Sequence, residues 1–275
     1  VSRDSELDKK LVAKYGLVYQ QLYAYFMAGS PDLRAIIERE IGRYAAWADM
    51  EIQAASISAV EQSLRETKKE TEIHLKAEQV IPLLSYLEKD RLTTLGKDVA
   101  EKVDTGLKVG IAIEVFRRMM GLGLVWTRRA ARTAIAYAGR DTKLLAYRAN
   151  ARFIDGWIWV SAMLPTTCMA CIAMHGTFHR LDERLNDHAS GYCQPKPWRK
   201  GLPGIELGTD LFSLLSDEEQ KKRMGPGKWE AWKSGRFDFR DLITTYQDDT
   251  WGELIREASL KGLLGDEAKE WYGGK

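Results

Sequence analysis

All three cysteines of this chain and three of its four histidines fall between residues 168 and 193, in CMACIAMHGTFHRLDERLNDHASGYC. Cys168 and Cys171 form a Cys-x2-Cys pair, a spacing that lets two thiolates turn toward one point while the intervening amides help to neutralise them. His188 and Cys193 extend it to Cys-x2-Cys-x16-His-x4-Cys, within the spacing range of a structural zinc site. Three thiolates and one imidazole fill a tetrahedral shell and leave no position for water. Such an ion would therefore clamp a small, loop-rich knuckle rather than catalyse. The bland reading treats these cysteines as small hydrophobes and the histidines as surface residues. His175 and His179 are spare: either can stand in for His188, hold a second ion, or hydrogen-bond the neighbouring acids Asp182, Glu183 and Asp187. A redox role for Cys168 and Cys171 is a weaker reading, because no helix is expected after the pair to depress its first thiol's pKa.

The rest of the chain has no need of a cross-link. At 275 residues it is long enough for at least one substantial core and one to two domains. A hydrophobic fraction of 45% and a charged fraction of 29% exclude a disordered or collagen-like chain. A formal charge of +2 is too near balance for the whole chain to act as a polycation, so any nucleic-acid contact has to be local. Three cysteines cannot all pair within one chain, and the charged opening VSRDSELDKK has no apolar signal-peptide centre. The longest apolar runs, such as WIWVSAML, fall far short of the ~18 residues of a membrane span. The expectation is a soluble protein of a reducing compartment.

The fold class expected is mainly α, with a helical N-terminal half and a small α+β, loop-rich Cys/His segment. Three regions are expected: 1–110 helical, 111–197 carrying the knuckle, and 198–275 a helical C-terminal extension. Ser30 and Pro31 read as the cap and first turn of a helix whose Leu33, Ile36, Ile37, Ile41 and Tyr44 share one face. The polar stretch SAVEQSLRETKKETEIHLKAEQV reads as a solvated helix or projecting coiled segment, with His74 a surface residue. Trp157 and Trp159, with Ile158 and Val160, read as a short buried strand. Ser216 and Glu219 form a capping box, and MGPGKWEAWKSGR reads as a stop, a short helix carrying Trp229 and Trp232, and a glycine exit.

Residues 117–152 are strongly basic, with Asp141 the single acid among Arg117, Arg118, Arg128, Arg129, Arg132, Arg140, Lys143, Arg148 and Arg152. At ~100° per residue Arg117, Arg128 and Arg132 fall close together on a helix. Arg117, Arg128, Arg129 and Arg132 are thus the candidate contacts to phosphate or to an acidic partner. The competing reading is an ordinary solvated face. Gly139 reads as an interruption between two helices.

Between Ala131 and Pro195 the landmarks come in a specific order. An Ala-Arg-Thr helix and an Ala-Tyr-Arg run precede a tryptophan strand ending in Ser161-Ala162. Cys-x2-Cys, His175-Gly176, Leu181-Asp182-Glu183 and the closing His188-x4-Cys193 follow. This series resembles the phage Mu F-like head morphogenesis family, the minor head proteins of tailed phages. The tail from Leu214 to Gly265 is similar to the extension many of them carry. Ala189, Tyr192 and Arg184 stand where the family commonly has proline, arginine and proline, and these departures leave the four ligand positions in place. The resemblance implies a structural, non-enzymatic virion component of the phage head. It is expected to bind the portal protein and capsid, with packaged DNA as a further partner, and to reside in the host cytoplasm during assembly. A metal-dependent nucleic-acid enzyme carried in the head, with His175 or His179 as base beside Asp187, is the alternative. A virion peptidoglycan enzyme finds no motif here.

Overall fold

The structure, a computed structural model, describes residues 2–71, 75–84, 97, 100–101 and 112–271. His74 and most of residues 85–111 of the expected helical region lie outside the described residues. The protein is mainly helical, with a helical N-terminal half and a small β region in its C-terminal part, as expected. Two compact units are formed, residues 1–62 with 76–139 and residues 63–75 with 140–275. The division falls at Gly139/Arg140, where the three-region reading has boundaries at 110/111 and 197/198.

The first unit is built on α1 (Ser2–Met27), most of α2 (Leu33–Thr71), the short α3 (Ala77–Val80) and the first part of α4 (Ala112–Ala149). Leu7, Leu11, Tyr15 and Leu22 of α1 are buried, as are Leu33, Ile37, Ile41 and Tyr44 of α2, so the expected apolar face is real, with Ile36 at its half-buried margin. Tyr15 meets Tyr44 edge-on at 4.8 Å, and Phe116 of α4 lies against Tyr19, Tyr23 and Phe26. Helix α2 starts at Leu33 rather than immediately after Ser30: Leu33 N–H donates to the Ser30 carbonyl, which closes a turn at Pro31 and Asp32 instead of a capped first helical turn. The polar stretch after Ser58 continues α2 as far as Thr71. It is not fully solvated, since Val60, Ser63, Leu64 and Thr67 are buried at three- and four-residue steps.

Gly139 does not interrupt α4, a correction to the two-helix reading. A helical glycine costs ~1 kcal/mol against alanine, and its neighbours Tyr137, Ala138 and Arg140 are each fully buried, which outweighs that cost. Arg128 of α4 grips Asp8 of α1 with two bonds, at 2.5 and 2.6 Å, and Arg132 stands 3.8 Å from the same carboxylate. The hydrogen bonds from Arg128 hold the Asp8 carboxyl below its usual range. Its contribution to stability is therefore complete above the unfolded carboxylate value of ~3.9 and disappears as pH falls through the lower folded value. Asp8→Asn is expected to cost about 1 kcal/mol at pH 7 in urea unfolding. The wild-type and variant curves should converge once pH falls below the folded carboxyl's value; a constant gap would rule the pair out as the cause.

The second unit carries a three-stranded antiparallel sheet, β1 (Gly156–Val160), β2 (Phe178–Arg180) and β3 (Gln194–Trp198), in the order β2-β1-β3. The expected tryptophan strand is its centre, with Trp157 and Trp159 fully buried. Between β1 and β2 lies a six-residue helix, α5 (Met169–Met174), every residue of which up to Ala173 is buried. Met169, Ile172 and Ala173 pack into a core with Phe212, Met224, Phe239 and Leu242, while Ala170 and Cys171 pack into another with Tyr147, Trp157, Trp159 and Leu185.

After β3 come α6 (Gly208–Ser213), α7 (Asp217–Met224) and α8 (Pro226–Lys233). An antiparallel hairpin, β4 (Ile243–Asp248) and β5 (Gly252–Glu257), precedes the short α9 (Leu260–Leu264) and α10 (Ala268–Trp271). The hairpin adds two strands to the helical extension expected over 198–275. Asp248 Oδ1 accepts the amides of Thr250 and Trp251, and Gly252 takes φ 78°, so DDTWG turns the chain back on itself. The Trp229/Trp232 helix and its glycine exit stand as read. Of the capping box only the serine half is made: Ser216 accepts from Glu219 N–H, whereas the Glu219 side chain pairs with Arg223.

Candidate metal centre

Cys168, Cys171, His188 and Cys193 converge on one cluster that could hold a metal ion. The donor atoms of Cys168, Cys171 and His188 lie within 4.8 Å of one another, and those of Cys171, Asp187 and Cys193 do likewise, so Cys171 is common to both groups. Two elements supply them. Cys168 is the N-cap of α5 and accepts Cys171 N–H at 3.4 Å, which places both thiols at the head of that helix. The expectation that no helix follows the pair is thus corrected; with nearly all of α5 buried, its sequence has no polar face to reveal helical periodicity. The loop running into β3 supplies His188 and Cys193. His188 Nδ1 donates to the Ala189 carbonyl at 3.0 Å, an acceptor only, which leaves the Nε2 lone pair as the coordinating one.

Without an ion the cluster is a charge problem. Contact with Cys171 and hydrogen bonding to His188 bring the Cys168 thiol down to about 5, and the same pairing with Cys168 lifts His188 to about 9. At neutral pH these two form a thiolate–imidazolium pair. Cys171, between Cys168 and Cys193 and beside Asp187, is pushed far up and keeps its proton. A bound cation reverses that preference, because it stabilises each thiolate that crowding disfavours.

Behind the thiols sits an ion pair that sequence reasoning did not find. Arg140 of α4 and Asp187 meet at 2.8 Å, both with fully buried side chains. Arg140 Nε donates to the Cys193 carbonyl at 2.7 Å, and its Nη2 also reaches the Gly191 carbonyl. Asp187 Oδ1 accepts from His188 N–H at 2.9 Å and from the Cys171 thiol at 3.2 Å; Oδ2 accepts from Cys193 N–H at 3.1 Å. Burial pushes the Asp187 carboxyl up, but the Arg140 charge, with His188 and these hydrogen bonds, holds it net below its usual range. Gly191 is required here, because a Cβ would stand 2.1 Å from Asp187 Oδ2.

The remaining histidines are engaged elsewhere. His175 is buried and accepts Ser161 N–H on Nδ1 at 3.0 Å. His179 lies between Thr177 and Glu183, at 2.8 and 2.9 Å, and stacks on Trp157. Neither is among the donors grouped with Cys168, Cys171 and Cys193.

The basic stretch resolves into separate pairs. Its acids come from distant segments, not from Asp141 alone: Arg128 and Arg132 meet Asp8, Lys143 meets Glu66 at 3.0 Å, and Arg140 meets Asp187. Arg148 donates to the Leu181 and Asp182 carbonyls and so steadies the Leu-Asp-Glu element. Of the four expected contact residues, Arg128 is committed to its carboxylate and Arg132 leans on it. Arg117, beside the Tyr19 and Tyr23 side chains, and Arg129 remain exposed.

The C-terminal hairpin reaches the centre through Glu257, whose Oε2 accepts Met169 N–H at 3.0 Å and whose Oε1 pairs with Lys228. This carboxylate satisfies a leading amide of α5. Glu257→Ala is expected to cost about 1.5–3 kcal/mol, the range for hydrogen bonds to charged groups, and to speed alkylation of Cys168. Unchanged labelling would detach the hairpin from the centre.

Fold and site together define a helical protein with a compact α+β unit built around a thiol-rich candidate metal centre. Compared with protein-family models, curated proteins and solved structures, the chain matches none. No helix among the described residues is long and apolar enough to cross a membrane.

Proposed function

We propose that the chain is a structural, non-catalytic component of a tailed-phage head, of the Mu F-like head morphogenesis class, whose centre holds a structural zinc ion. The observation that carries the metal half is the gathering of three thiols and one imidazole about Cys171. Asp187, the nearest other candidate, has both oxygens taken by Arg140, two backbone amides and the Cys171 thiol. Sulfur-rich, borderline-soft donor sets suit zinc, and four of them close a tetrahedral shell. When bound, the ion supplies cross-linking and charge neutralisation rather than an activated water.

The phage half is supported by the ordered landmarks from Ala131 to Gly265. In this reading the second unit offers a rigid surface to the portal protein or inner capsid, and the exposed Arg117 and Arg129 are the arginines left for an acidic partner or packaged DNA. Metal analysis of the purified protein, with Cys168→Ser as control, tests the first half: near-stoichiometric zinc lost in the variant is expected, and a metal-free wild type counts against it. Co-sedimentation with the cognate portal protein tests the second, and a clean failure at low salt removes it. DNA cleavage in magnesium or manganese that His175→Ala abolishes would favour the enzyme reading instead.

A further inference from the structure

We propose that Arg140 and Asp187 are positioning residues that hold His188 and Cys193 ready for metal before any metal arrives. This inference rests on the metal-centre reading above and specifies how that centre is built. The ligand loop from Asp187 to Cys193 is tied at both ends and in the middle by bonds that involve no metal. The Asp187 carboxylate accepts the backbone amides of both loop ligands, His188 at 2.9 Å and Cys193 at 3.1 Å. The Arg140 guanidinium takes the carbonyl of Cys193 at 2.7 Å and that of Gly191. Gly191 N–H closes the turn on the His188 carbonyl at 3.0 Å, and Ser190 takes a left-handed φ of 62° to allow it.

A knuckle held by its ion alone unfolds when the ion leaves. Here Arg140 and Asp187 are fully buried and joined to each other, so releasing the loop would part Asp187 from Arg140 and strand that cation in the interior. The ordering entropy of the loop is therefore met by folding, and the ion binds a pocket already formed. Partners of this kind around metal ligands change affinity by ~10–100-fold without changing the ligand set.

Amide hydrogen exchange on the metal-free protein, with cobalt(II) as the metal probe, tests this. The wild-type amides of His188 and Cys193 should be protected without metal, and cobalt should give the spectrum of a tetrahedral thiolate site. Arg140→Met should lose that protection and bind cobalt ~10–100-fold more weakly with an unchanged spectrum; Arg140→Lys, which keeps the charge, should recover part of both. Should Arg140→Met not fold, the wild-type exchange and Arg140→Lys decide the matter. Free exchange of both amides in the metal-free wild type, or cobalt affinity in a folded Arg140→Met within twofold of wild type, overturns the inference while leaving the metal centre standing. A wild type with no thiolate–cobalt spectrum overturns the centre and this inference together.

Discussion

Asp187→Ala is expected to destabilise the metal-free protein by about 3–5 kcal/mol, the range for breaking a buried ion pair by removing one partner. The substitution leaves the Arg140 cation in a fully buried position, and leaves the amides of His188 and Cys193 without their acceptor. Urea unfolding at pH 7 is the measurement. A combined Arg140→Met, Asp187→Leu exchange should cost much less, because it buries no lone charge. A single-variant loss below about 1 kcal/mol would mean that water or another cluster member already compensates Arg140. The Asp187 carboxyl titrates below its ordinary value in the folded protein. The wild-type advantage should therefore be complete above ~3.9 and shrink as pH falls through the lower folded value.

Cys171→Ser is expected to remove one of four ligands and to weaken metal binding sharply. Cys171 belongs to both donor groups, whereas Cys168, His188 and Cys193 each belong to one. Sharing the ~10–16 kcal/mol of a structural zinc site among four ligands predicts a loss of roughly a hundredfold to a thousandfold in affinity. Competition with a chelator of known strength reads it. The same thiol makes binding depend on pH. At pH 7 Cys168 is already a thiolate, with its value near about 5, but Cys171 keeps its proton and His188, raised to about 9, keeps its own. Coordination has to expel protons from both, so affinity should climb as pH rises from 7 toward 9. Calorimetry in two buffers of different ionisation enthalpy should find more than one proton released per ion. A release near zero would mean that the metal binds outside this cluster.

Much of the centre was legible because its chemistry is rare in the chain. Cysteine and histidine are scarce here, so their spacing stands out, and the four residues read as ligands do come together. The apolar face of α2 was legible because it repeats the period that one-sided burial imposes, and β1 because a short run of bulky apolar residues suits a strand buried on both faces. Arg140 and Asp187 were hidden by resembling their surroundings. Arg140 stands in a basic run and Asp187 in an acidic one, and nothing local says that two charges far apart in sequence will be buried together. Helix α5 was missed because a helix buried nearly all round has no amphipathic signature. The β4–β5 hairpin was missed because its strands are short and half exposed, and the capped helices just before them favoured a helical reading.

The two-sided burial of α5 also bears on how far the protein can be trimmed. Its outward side is covered by residues after β3, its leading amide is held by Glu257, and β5 takes the Asn186 carbonyl just ahead of the ligand loop, with Ile255 N–H donating at 2.8 Å. The polypeptide beyond Trp198 is thus no detachable cassette. Excising it to isolate a minimal thiol domain would strip the scaffolding from both halves of that domain, and relatives sharing this architecture should keep or lose the two stretches together.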